Sequence, residues 1–274
     1  MSLAKILADQ KRWARNLWPD HRGLEAPSIE SNLFRPLSPA TWAEFAVGRG
    51  DELGLSGRRP KMRSLRSSSA LACNVFELWR GRDLMPLGTA LGLRGHFIEL
   101  HFERKCPHGL NSEPPNLDLV LYPSEGSPVG IESKFTEPYG SRPARPPLKA
   151  KYFDRNVRRW EEVGLPRCQL LAESLGKAVV FCRLDAGQLL KHILGLAWPH
   201  RNSASIRLLD IWFDGGGAEA DEYRGELRRF SDALDPEVEF SQRTYQETFQ
   251  ALREFPEPAP GYLSYLETRY FAGQ

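Results

Sequence analysis

The 274 residues, 41% apolar and 11% aromatic, can bury a full core in one domain or in one domain with appendages. With 37 basic against 35 acidic residues the net charge is only +2, so bulk charge announces no nucleic-acid partner. Cys73, Cys106, Cys168 and Cys182 form no C-x-x-C pair, and no run of about 18 apolar residues exists; this excludes a disulfide framework, a zinc ribbon and a membrane span, and a cytoplasmic protein is expected.

Residues 1–66 read as an N-terminal appendage of helix and loop, with an amphipathic first helix. Lys5, Asp9, Lys11, Arg12 and Arg15 interrupt its apolar residues, so no signal peptide is expected. From Ser67 a serine cluster precedes Leu71, Val75, Leu78 and Trp79 at helical spacing, which predicts a capped helix ending near Gly81. The stretch 95–104 alternates, with Ile98, Leu100 and Phe102 on one face and Glu99, His101 and Glu103 on the other. Strands are also predicted over 117–122 and 129–135, joined by the hairpin loop Pro123 to Pro128. An insertion follows at about 137–183, with helical-looking sequence from Tyr152 to Glu162. Asp185 then caps a helix that Pro199 stops, and 205–213 is a largely buried fourth strand. Past the turn at Gly215, Gly216 and Gly217, residues 215–274 read as a mostly helical extension packed on the core, with a short strand near Val238.

Alternation puts Glu132 and Lys134 on one face of the third strand. A hairpin turn centred on Gly126 sets Asp118 opposite Lys134 and Val120 opposite Glu132, and a one-residue slip would turn Asp118 away. Two carboxylates this close repel unless a divalent cation neutralises them, and hard oxygen donors suit Mg²⁺ or Mn²⁺. Lys134 beside such an ion can hold an attacking water and offset charge growing on phosphate. Phosphodiester hydrolysis is the chemistry this set fits.

Asn116-Leu117-Asp118 followed by Ile131-Glu132-Ser133-Lys134 resembles the PD-(D/E)xK nuclease superfamily; the family's proline has no direct counterpart, since Pro115 lies three residues before Asp118. A closer likeness is to a restriction-endonuclease-like bacterial family within it. The likeness is carried by Ser67 to Ala70, Asn74, Phe102-Glu103, Ile131 to Glu137, Gln188 to His192 and Tyr265 to Tyr270. It implies an α/β fold with an α-β-β-β-α-β core over 67–214, a mixed central sheet flanked by helices, and helical additions at both ends. It further implies a metal-dependent deoxyribonuclease in which Asp118 and Glu132, with Glu103 from the preceding strand, bind Mg²⁺ or Mn²⁺ and Lys134 assists the water. A nuclease of this kind with one site per chain would cut both strands as a homodimer.

Gln188 on the later helix shares a side with Lys191, His192 and Gly195; that side either meets solvent or brings Gln188 to the catalytic sheet. Glu77 on the first core helix is expected to be a surface charge. Arg142, Arg145, Lys149, Lys151, Arg155, Arg158 and Arg159, interleaved with aromatic residues, form the best local footprint for nucleic acid. The alternative is a binding protein that keeps the nuclease fold and no longer cleaves.

Overall fold

The computed structural model describes residues 3–20, 22–48, 50–110, 112–140, 148–200 and 205–272. The N-terminal half runs through α1 (Leu3–Leu17), α2 (Pro39–Val47), α3 (Ser68–Phe76), α4 (Met85–Ala90), β1 (Phe97–Lys105), β2 (Asn116–Pro123) and β3 (Val129–Lys134). The remainder supplies α5 (Pro166–Ser174), α6 (Ala186–Ala197), β4 (Ile206–Trp212), α7 (Ala218–Leu234), β5 (Val238–Thr244), α8 (Tyr245–Leu252) and α9 (Tyr262–Leu266). Local chemistry starts the two helices that matter most: Ser67 Oγ accepts the Ala70 N–H at 3.1 Å, and Asp185 Oδ1 accepts that of Gln188 at 2.9 Å. Among the described residues no helix is long and apolar enough to cross a membrane.

The strands form one mixed sheet in the order β1-β2-β3-β4-β5, antiparallel from β1 to β3 and parallel from β3 to β5. Flanked by helices, it is compatible with the expected α-β-β-β-α-β core, and β5 from the C-terminal stretch extends it. α6 and α7 meet the side of the sheet that carries Glu132 and Asp210, while α8 meets the other through Tyr245, whose hydroxyl lies 2.7 Å from Ser133 Oγ. The crossover from β3 through α6 to β4 is close-packed at Gly130, where a Cβ would lie 2.8 Å from Leu117 Cδ1 and 2.9 Å from Leu196 Cδ1.

Local expectations are corrected in four places. The β2–β3 register pairs Val120 with Gly130 and Leu119 with Ile131, two residues away from the expected one. Leu119 and Leu121 thereby face Ile131 and Val129, so apolar partners are matched, and an even displacement preserves each side chain's face. A bulge between Phe97 and Glu99 gives the inner place to Phe97 and leaves Ile98 52% exposed. Tyr152 to Glu162 forms no α-helix but parts of two 3₁₀ turns, Ala150–Asn156 and Glu161–Val163, because the rings of Tyr152 and Trp160 are drawn inward and Trp160 Nε1 donates to Leu190 O at 2.9 Å. Glu77 is no free surface charge: its carboxylate accepts the Ser38 N–H and the Thr41 hydroxyl at the start of α2.

Candidate active site at the parting of β2 and β3

Glu132 and Lys134 project from β3 toward α6. Lys134 Nζ donates to Glu132 Oε1 at 2.5 Å and to Gln188 Oε1 at 3.0 Å. The other carboxylate oxygen, Oε2, lies 3.0 Å from His192 Nε2, one helical turn beyond Gln188. The side of α6 that could have met solvent therefore meets the sheet, and His192 is 1% exposed.

Regular pairing of β2 with β3 ends at Leu119–Ile131. Past it, the Asp118 carboxylate accepts the Ser133 N–H at 2.7 Å, taking a ladder donor that a strand carbonyl would otherwise satisfy. Phe102 opposite Leu119 and Arg104 opposite Leu117 put Glu103 across from Asp118. Glu103 adopts φ +46°, unusual for a residue with a Cβ, and its Oε2 accepts from Asn116 Nδ2 at 3.0 Å. Gly48 makes room for it, since a Cβ there would sit 2.9 Å from that oxygen. Glu103, Asn116, Asp118, Glu132, Lys134 and Gln188 line a cavity of about 470 Å³ with Glu52, Glu137 and Ser69.

Burial dominates the electrostatics. It pushes Asp118 well above the usual carboxylate range, and Glu132 adds to the rise against the opposing pull of Lys134. Glu132 is subject to the same burial, yet Lys134 and His192 outweigh it and hold the carboxyl down to about 2. Lys134, although buried, is raised because Glu132 and Asp118 hold its proton. Glu103 is pushed up to about 7 by burial, opposed by Asn116 and reinforced by Glu52 and Glu132.

Sequence reasoning missed Asp210. It pairs across β3–β4 with Glu132, is fully buried, and both of its oxygens take the Tyr223 hydroxyl at 3.0 Å. Burial lifts it to about 7, with Lys134 opposing. The signal was a single acidic residue inside the apolar run Leu208, Leu209, Ile211. Glu52 carried no local signal, since only the fold brings the loop after α2 to the cavity.

Asp118, Glu132 and Glu103 do not, among the described residues, offer oxygens all within 4.8 Å of one another. Cys182, Glu222 and Glu226 do, but the Glu226 carboxylate already accepts the N–H groups of Cys182, Arg183 and Leu184. Of the basic run, Lys149 is exposed, Lys151 Nζ donates to Ser112 Oγ at 2.8 Å, and Arg158 is paired with Glu161 and Glu173. Arg159 is half-buried, and its Nε has no hydrogen-bond partner among the described residues. Arg142, Arg145 and the Arg155 side chain lie outside the described residues.

The family model described as "Restriction Endonuclease associating with ARP" matches residues 7–271. No curated protein and no solved structure matches the chain.

Proposed function

From the chain's membership of the family described as restriction endonuclease associating with ARP, we propose that it is a metal-dependent nuclease of the PD-(D/E)xK type that hydrolyses phosphodiester bonds in DNA. The observation that carries the reading is the buried Glu132–Lys134 pair, clasped by Gln188, at the point where β2 and β3 part and Asp118 opens onto the same cavity. DNA as substrate follows from the family description, and so does any association with ARP. Cleavage of both strands by one site per chain would call for a second copy.

The residues fit a divalent cation. Asp118 and Glu132 are buried carboxylates, the charge of Glu132 raises the cost of ionising Asp118, and their hard oxygens suit Mg²⁺ or Mn²⁺. Those two residues would hold it, with Glu103 available from β1. When bound, the ion supplies a Lewis acid for phosphate oxygens and neutralises developing charge. Lys134 keeps its proton, so it does not act as a base; its ammonium orients the attacking water and stabilises the charge that grows on phosphate. Gln188 fixes the direction of that ammonium through its amide oxygen.

One observation favours the non-cleaving alternative: Lys134 and His192 stand against the two oxygens of Glu132, so the site is closed on itself. A Mg²⁺-dependent assay on single- and double-stranded DNA separates the readings. Wild type is expected to cut, and Asp118→Ala and Lys134→Ala each to lose about 10²-fold or more. Wild type that binds DNA but fails to cut it with every divalent ion tested would leave the non-cleaving reading standing.

A further inference from the structure

A strand advances about 6.6 Å over two residues, and a helix about 6 Å over four. This match lets two side chains of β3 each meet their own partner on α6: Lys134 meets Gln188, and Glu132 meets His192. The second meeting is the unusual one. His192 lies among Leu189, Leu190, Ile193 and Leu194, all buried, and both of its ring nitrogens are buried without a completed hydrogen bond. Such a ring is destabilising relative to an apolar residue of the same shape. Nε2 is close enough to bond Glu132 Oε2 at 3.0 Å, yet the bond is out of line. The 2.5 Å contact of Oε1 with Lys134 holds the carboxylate in this rotation.

We propose that His192 is a positioning residue for Glu132: its Nε2–H is the donor that would orient Oε2 when Glu132 holds a divalent cation. The assignment rests on the nuclease reading above. A donor behind a ligating carboxylate sets that ligand's orientation, and catalytic hydrogen bonds that are bent in the unloaded state commonly straighten on loading. The helix thus presents one residue to each half of the E-x-K pair, Gln188 to the ammonium and His192 to the carboxylate.

Mn²⁺ binding to the full chain, measured by calorimetry, tests this without reference to cleavage. His192→Phe keeps a planar ring of somewhat larger size and removes the donor; it is expected to melt in chelator no lower than wild type and to weaken Mn²⁺ about tenfold or more. His192→Gln, whose amide nitrogen takes the place of Nε2, is expected to return affinity to within about threefold of wild type. Should the Phe variant fail to fold, His192→Asn, too short to reach Oε2, carries the same expectation of weakened binding. Donor-less variants that bind Mn²⁺ like wild type overturn the role of His192 and leave the nuclease reading intact. Wild type that takes up no Mn²⁺ overturns the cation reading itself.

Discussion

Glu103 sits at φ +46° with its carboxylate packed against Gly48 and Asn116, so a backbone cost is borne at the cavity wall. Strain of this kind is about 1–3 kcal/mol and concentrates at functional positions. Glu103→Gly relieves it, together with repulsion from Glu52 and Glu132, and loses part of the gain to the greater freedom of the unfolded chain. A net gain of about 1 kcal/mol in urea unfolding is expected, accompanied by weaker cleavage. A variant that lost stability would show that the Asn116 contact outweighs the strain. Among single residues, Asp118, Glu132 and Lys134 were legible because their spacing on two predicted strands is itself the chemical pattern. Asp210 was not, and for His192 only the shared side with Gln188 was legible, since an acid in an apolar strand or a histidine among leucines has meaning only beside its partner.

At the level of elements, α6 joins the site to the rest of the fold. Its N-terminus is held by the Asp185 cap, and the segment just before it by the three N–H groups that Glu226 of α7 accepts. Toward its other end Gly195 meets the backbone after β1: a Cβ there would lie 2.5 Å from Cys106 Cβ and 2.7 Å from its carbonyl oxygen. Alanine raises helix propensity by about 1 kcal/mol, but overpacking against an unyielding backbone costs about 1–3 kcal/mol. Gly195→Ala is therefore expected to lower stability by about 1 kcal/mol in urea unfolding, and by no more than about 2, the balance of those two effects. An unchanged or raised midpoint would mean that the 106–109 loop yields freely. Caps, the Pro199 stop and the strand periods made this helix and its neighbours readable. The aromatic anchors of 150–160 override local helical preference, and so that segment was misread.

Across the whole molecule, the chain ends are tied together by Arg269. It is 2% exposed, lies over the Trp13 ring at 4.1 Å, and donates to Asn32 O, Asn32 Oδ1 and the Tyr265 hydroxyl. Its backbone carbonyl accepts from Gln10 of α1. Arg269→Lys keeps the charge and loses the planar fork and the stacking, so a loss of about 3 kcal/mol is expected, with α1 the first segment released in limited proteolysis. Equal protection of α1 in both forms would argue against that role. By itself the sequence determined the elements whose causes are local: serine and aspartate caps, alternating strands, a tight hairpin and an acidic-basic spacing with one chemical use. Tertiary structure alone decided the β2–β3 register, the burial of α6, the place of Asp210 and the contact of His192 with Glu132. Each of those depends on which apolar surfaces match across long stretches of chain, and no residue's neighbours in sequence carry that information.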